Sequence, residues 1–130
     1  MVRRPVETFL LIGLGGFLGA NMRYWVAGWV AEQVGQTFPW GTLVVNLSGA
    51  LLLGVFLGWS AQHITIDPRA RMLIVVGFFG AYTTFSTFAN ETALLWESGD
   101  LLGALGNVLG TNLLCILGAF AGLVVGRQIG

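Results

Sequence analysis

A run of hydroxyl-bearing and aromatic residues lies inside an otherwise apolar stretch of this 130-residue chain. The run is Thr83-Thr84-Phe85-Ser86-Thr87-Phe88, and Gly80 stands shortly before it. Glycine and threonine weaken a helix, and Ser and Thr side chains can satisfy the backbone groups that are then left free. We therefore expect a break near Gly80 to Thr83 that leaves two half-helices, with a simple kink as the alternative. Free amides at such a break bind anions and free carbonyls bind cations, so the pattern predicts an ion site.

Phe85 and Phe88 are three residues apart and share one face of the second half-helix. Core packing is the ordinary explanation for such a pair. An aromatic ring also has a positive edge, however, and two edges directed into a narrow pore would stabilise a small, hard anion without a full opposite charge. Conduction needs binding of this moderate strength at several positions.

Other polar groups stand inside apolar stretches, where they are costly and therefore informative. Asn46 either ties helices together or offers its NH2 group to an anion. Arg23 either extends to a membrane interface beside Tyr24 or anchors a neighbouring helix, and a structural role is favoured over contact with a substrate. Glu91 follows Phe88 by three residues and is the acid placed well inside a stretch.

The last apolar stretch carries Asn107, Thr111 and Cys115 at four-residue steps, which places them on one helical face. The stripe suits either an anion path or hydrogen bonds between helices. Asn112 lies beside it.

Hydrophobic residues make up 55% of the chain and charged residues only 9%, too little polar material to cover a soluble fold. No charged residue lies between Glu32 and Asp67, Arg71 and Glu91, or Asp100 and Arg127, and each gap reaches the roughly 20 residues that cross a bilayer. Backbone groups in lipid must be satisfied internally, so the spans should be helices. The sequence predicts an all-α membrane protein with one domain over 1–130 and spans at about 7–30, 40–61, 70–97 and 101–126.

Glycines recur at four-residue spacing and predict narrow faces on which helices approach closely. The recurring positions are Gly15 and Gly19, Gly54 and Gly58, and Gly118, Gly122 and Gly126. No basic patch suggests nucleic acid, and no nucleophile with a neighbouring base suggests an enzyme.

Three segments make the chain resemble the CrcB/Fluc family of fluoride channels. They are Gly15-Gly16-Phe-Leu-Gly19-Ala20-Asn-Met-Arg23-Tyr24, Gly41-Thr42-Leu43-Val44-Val45-Asn46-Leu47-Ser48-Gly49, and Gly77-Phe78-Phe79-Gly80-Ala81-Tyr82 followed by the hydroxyl-rich run and Glu91. The resemblance covers nearly the whole chain. It implies passive, selective export of fluoride across the inner (plasma) membrane by a multi-pass protein, which relieves fluoride toxicity.

The resemblance also implies an antiparallel, dual-topology homodimer with two pores. The fluoride path would then be lined by Asn46, the ring edges of Phe85 and Phe88, the hydroxyls of Thr84 and Ser86, and the stripe with Asn107 and Thr111. The backbone carbonyls of Gly80 and Thr83 from both subunits would hold a structural Na⁺, while Arg23 and Glu91 would be structural. Ala81, Asn107 and Cys115 depart from the residues usual in the family.

The distribution of arginines favours a single orientation in the membrane and so conflicts with a dual-topology dimer. With both termini on one side, Arg3, Arg4, Arg69, Arg71 and Arg127 fall on that side, which predicts a single orientation with cytoplasmic termini. Two other functions remain open in the sequence: a small four-span proton-coupled multidrug exporter, and an assembly subunit without transport. The exporter needs a carboxylate deep in the first span, whereas Glu7 lies at its outer end.

Overall fold

Four long helical stretches make up most of this protein. The computed structural model describes residues 4–63 and 66–130, and within them it contains helices and turns and no strand. The stretches Pro5–Val34, Trp40–Ser60, Pro68–Glu97 and Leu101–Ile129 are each long and apolar enough to span a membrane. They agree with the predicted spans to within a few residues, so the all-helical, four-span class is confirmed. Arg3 lies outside the described residues.

The first, second and fourth spans are each one continuous helix, whereas the third has several parts. The elements are α1 (Pro5–Val34), α2 (Trp40–Ser60), α3 (Pro68–Ala70), a π-helix (Arg71–Phe79), α4 (Gly80–Tyr82), α5 (Phe85–Glu97) and α6 (Leu101–Ile129). The sequence did not predict the π-helix, in which backbone bonds join residues five apart, as Gly80 N–H does to Val75 O. π-Helical turns are rare in proteins, but those that occur often lie at functional sites. This one leads directly to the polar run.

Between α4 and α5 the backbone is extended at two residues. Thr83 has φ −86° and ψ 157°, and Thr84 has φ −151° and ψ 117°. Gly80, where the sequence placed the start of the change, keeps helical angles of −60° and −33°. The helical turn persists past the glycine because Thr83 donates to Phe79 O twice, from its N–H at 3.2 Å and from its hydroxyl at 3.0 Å.

Glycines form the seams between helices. A Cβ added to Gly54 or Gly58 of α2 would overlap backbone atoms of α6, and one added to Gly122 or Gly126 of α6 would overlap backbone atoms of α2. Gly15 and Gly19 of α1 meet backbone atoms of the π-helix in the same way. The predicted small-residue faces are therefore confirmed at these six glycines, where backbones come close enough for extensive van der Waals contact. At Gly118, the other predicted position, an added Cβ would first meet the side chain of Leu47.

A tight turn joins the third and fourth spans. Gly99 has a φ of 84°, which favours glycine, and it follows the last residue of the third span, Glu97, by two positions. The side chain of Asp100 then accepts from Gly103 N–H at 2.8 Å and caps α6. The two spans thus form a helical hairpin, which places α5 beside α6.

Candidate functional site

Asn46 of α2 holds the extended residue Thr84 from both sides of its backbone. The Asn46 Oδ1 atom accepts from Thr84 N–H at 2.7 Å, and Asn46 Nδ2 donates to Thr84 O at 3.0 Å. Thr84 is only 9% exposed, so both groups would otherwise be buried without partners. Of the two roles that the sequence left open for Asn46, the structure displays the tie between helices, and one Nδ2 hydrogen remains for a further acceptor.

Thr84 also caps the helix that follows it. Its Oγ1 atom accepts from Thr87 N–H at 3.2 Å, donates to Thr87 Oγ1 at 3.0 Å and lies 3.4 Å from Ser86 Oγ. The first amides of α5, on Phe85 and Ser86, receive no acceptor from the part of the chain that the structure describes. A helix N-terminus carries partial positive charge, so this end of α5 favours an anion.

A cleft of about 330 Å³ lies directly against this helix terminus. It is lined by groups from α2, the extended segment, α5 and α6, among them Asn46, Thr83, Thr84, Phe85, Phe88 and Thr111. The structure therefore brings together most of the residues that the sequence selected for an ion path. Ser86 and Asn107, which were selected with them, do not line this cleft.

The two phenylalanines differ in their surroundings. Phe88 is 6% exposed and forms one wall, whereas Phe85 is 75% exposed in the single chain. Their ring centroids are 5.5 Å apart and the planes are tilted by 54°. Both rings line the same cleft, and an aromatic ring can offer its positive edge to an anion.

The stripe on α6 is divided between two environments. Thr111 and Cys115 line the cleft, whereas Asn107 is 1% exposed and lies behind the wall. Asn107 Nδ2 donates to Thr92 Oγ1 at 2.9 Å, and its Oδ1 accepts from Thr111 Oγ1 at 3.0 Å. Part of the stripe thus makes the hydrogen bonds between helices that the sequence allowed as an alternative.

Gly80 and Thr83 present backbone oxygens close to the extended segment. Among residues 4–63 and 66–130, no N–H or O–H donates to either carbonyl. Gly80 is exposed on the surface of the single chain, and Thr83 is half-buried. Two free carbonyls three residues apart are suitable ligands for a hard cation.

Arg23 and Glu91 lie in two further cavities. Arg23 lines one of about 480 Å³ together with Thr84 and Thr87, and it makes no ion pair within the described residues. Glu91 lines one of about 440 Å³, where its Oε1 accepts from Thr42 Oγ1 at 2.9 Å. Its other oxygen, Oε2, is buried and has no partner in the described part of the chain.

Three polar contacts in this region were not predicted from the sequence. Thr42 binds Glu91, Ser48 Oγ lies 2.9 Å from Tyr82 Oη, and Thr92 Oγ1 donates to Phe88 O at 2.8 Å. The sequence spacing gave a signal for Thr42, because Thr42, Asn46 and Gly49 follow one face of α2. Thr92 gave less, since a threonine inside a helix most often bonds only to its own backbone.

These features define a small multi-pass membrane protein with a polar, non-helical segment in its third span that faces a cleft. The sequence model of the CrcB-like protein family, described as Camphor Resistance (CrcB), matches residues 10–123. The chain belongs to this family.

Similar proteins cover almost the full length of the chain. One from Magnetococcus marinus is 45% identical over 118 residues, covering 91% of this chain and 96% of the relative. One from Hahella chejuensis is 43% identical over 124 residues, 95% and 98% of the two chains, and one from Koribacter versatilis is 42% identical over 119 residues, 89% and 94%. Each of these relatives bears the name fluoride-specific ion channel FluC.

Proposed function

We propose that this protein is a fluoride-selective ion channel that carries fluoride passively across the cell membrane and is not an enzyme. The observation that carries the proposal is the cleft in which the Phe85 and Phe88 rings meet the N-terminus of α5 beside Asn46. The names of the relatives, which are 40% identical or more, support the same ion.

The chemistry of the cleft suits a small anion that must leave again. A Lys or Arg side chain would bind fluoride strongly and trap it, but ring edges, a helix terminus and one amide hydrogen supply only partial positive charges. Several such weak positions in series permit entry and exit. The path in this proposal follows the cleft past Asn46, Thr84, Phe85 and Phe88, with Thr111 of the α6 stripe also lining it. Ser86, at the start of α5, and Asn107, behind the wall, belong to the surroundings of the path and do not line the cleft.

The direction of transport follows from the membrane potential. Fluoride enters cells as its protonated, neutral form and ionises inside, where it accumulates. A channel then allows the negative interior potential to drive the anion outward, at about 2.3 kcal/mol per 100 mV. Selective export of this kind relieves fluoride toxicity without an energy source of its own.

The test is ion efflux from liposomes that contain the purified protein. We expect rapid release of fluoride, followed with an ion-selective electrode, while chloride stays inside vesicles of the same preparation. Vesicles without protein are the control. Equal release of the two anions would remove the claim of selectivity, and retention of both would remove the proposed function.

We further propose that the third span works as a broken transmembrane helix within an antiparallel homodimer. Gly80, exposed in the single chain, and the 75% exposed Phe85 ring both gain a neighbour if a second copy packs against the interruption. A two-fold axis at this place brings the same residues of both copies together. The arginines at one end of the chain favour a single orientation, so orientation is the property to measure.

Orientation can be measured with one cysteine at the C-terminus. In a Cys115→Ser background, Gly130→Cys should react with a membrane-impermeant maleimide on intact cells in about half of the chains, because inverted copies are equally frequent. Permeabilised cells give the total. Labelling of nearly all chains or of none would contradict the antiparallel dimer.

A structural Na⁺ completes the proposed dimer. The carbonyls of Gly80 and Thr83 lack donors within the described residues, and two copies would supply four of them to one cation. Carbonyl oxygens suit such a hard cation, and bound Na⁺ would offset the negative ends of four peptide dipoles. The ion is structural in this proposal and is not transported.

Removal of sodium tests that site. When Na⁺ is exchanged on both sides of the liposome for N-methyl-D-glucamine, which is too large for four carbonyls, fluoride efflux should fall at least about tenfold. Efflux should return when Na⁺ is added back. Unchanged efflux in thoroughly sodium-free vesicles would rule out a required sodium ion.

The proton-coupled multidrug exporter finds no support in the geometry. That mechanism needs a carboxylate deep in the first span, and the acid of α1 near its beginning, Glu7, is paired with Arg69 at 2.6 Å. The pair lies at the end of the spans, where both side chains are partly exposed. A scaffold without transport, in turn, gives no reason for the polar segment beside the cleft.

A further inference from the structure

Three side chains and one carbonyl form a continuous, directed chain of hydrogen bonds between α6 and α5. Thr111 Oγ1 donates to Asn107 Oδ1 at 3.0 Å, Asn107 Nδ2 donates to Thr92 Oγ1 at 2.9 Å, and Thr92 Oγ1 donates to Phe88 O at 2.8 Å. The Thr92 hydroxyl accepts one hydrogen bond and donates the next, and the Asn107 amide accepts at its oxygen and donates from its nitrogen, so the chain has a single consistent direction. It begins at the wall of the cleft and ends on the backbone of Phe88.

We propose that Asn107 and Thr92 are positioning residues that fix the Phe88 ring in the cleft wall. Asn107 is 1% exposed and does not line the cleft, so its amide serves other protein groups. The bond from Asn107 to Thr92 joins α6 to α5 one turn beyond Phe88, at the residue whose hydroxyl binds the Phe88 carbonyl. A rotation or shift of this turn would move the ring and would also break a buried hydrogen bond.

The same chain sets the polarity of Thr111. Its hydroxyl hydrogen is donated to Asn107, so this hydroxyl is not free to donate to an anion in the cleft that it lines. With this donor occupied, an anion in the cleft relies more on Phe88, and the hydrogen bonds behind Thr111 keep Phe88 in place.

The first experiment places a spectroscopic label on Phe88. The reading from ion flux rests on the proposed function, whereas the spectrum of the label is independent of it. With 4-fluorophenylalanine at position 88 of the full-length protein, the ¹⁹F resonance should shift or broaden in Asn107→Leu and in Thr92→Val. Thr92→Ser keeps the hydroxyl and should restore the unaltered spectrum. Asn21→Leu is the matched control, because the exposed Asn21 amide bonds, within the described residues, to Phe17 O of its own helix.

Fluoride efflux from liposomes gives the second reading. Asn107→Leu and Thr92→Val each remove two of the three hydrogen bonds, and each should slow efflux at least about fivefold. The double variant should be no slower than the worse single one, since both changes interrupt one chain. Thr92→Val supplies the answer if Asn107→Leu does not fold.

The outcomes separate this inference from the proposed function. An unchanged Phe88 resonance in Thr92→Val would overturn the positioning role, whatever the flux. Additive losses in the double variant would also overturn it, because they would mean two independent effects. If the unaltered protein releases no fluoride, the proposed function fails, but the ¹⁹F spectra still decide whether Phe88 is held in this way.

Discussion

Replacing Phe88 with isoleucine should slow fluoride efflux from liposomes at least about a hundredfold. Phe88 is 6% exposed and forms a wall of the cleft with Phe85. Isoleucine keeps the apolar bulk but has no positive ring edge, so the anion loses a preorganised electrostatic partner in a place with little water. Loss of one such partner costs enzymes about 10²–10³ in rate, and an ion crossing a barrier is subject to the same electrostatics.

The control for Phe88→Ile is Phe120→Ile on α6, a phenylalanine that is 64% exposed and does not line the cleft. It should leave efflux unaltered, and both variants should elute as the same oligomer in size-exclusion chromatography. Efflux of Phe88→Ile within about threefold of the unaltered protein would mean that packing, and not the ring edge, explains the phenylalanine pair.

Replacing Asn46 with leucine should both destabilise the fold and abolish most of the flux. The change removes both hydrogen bonds to the Thr84 backbone and leaves its N–H and C=O buried without partners. Each unsatisfied group costs about 1–3 kcal/mol, so the total is about 2–6 kcal/mol. Unfolding can be followed in detergent by the fluorescence of the five tryptophans, and efflux should fall at least about tenfold because the α5 terminus loses its fixed position.

Asn21→Leu serves as the control, since it removes an exposed amide with a local bond from a transmembrane helix. Its thermal midpoint should stay within a few degrees of the unaltered protein. If Asn46→Leu unfolds at the same temperature as Asn21→Leu, Asn46 does not hold the extended segment, and its role would be reduced to contact with the ion.

The four spans could be predicted from the sequence because charge is excluded from a bilayer core over long, countable stretches. The glycine seams could be predicted as well, since close backbone approach imposes a four-residue period at Gly54 and Gly58. The location of the extended residues was less predictable. Glycine propensity pointed to Gly80, whereas the side chain of Thr83 prolongs the turn and Asn46 holds Thr84.

The candidate site was predictable as a set of residues but not as a set of contacts. Phe85, Phe88 and Thr111 converge on one cleft, as their residue types suggested. The hydrogen-bond partner of each polar side chain depends on how two helices pack together. Spacing along one helix does not contain that information. Asn46 to Thr84 and Asn107 to Thr92 join residues far apart in sequence, and the π-helix before Gly80 likewise has no sequence pattern of its own.

The hold of Asn46 on Thr84 has a consequence for how the chain enters the membrane. A third span alone in lipid would leave the N–H and the C=O of Thr84 without the partners that Asn46 supplies, at several kcal/mol each. The second span, by contrast, is uninterrupted and strongly apolar, so it can insert unaided. We therefore expect the second span to be integrated first and to receive the third as it leaves the translocon, so that biogenesis depends on the order in which the two are synthesised.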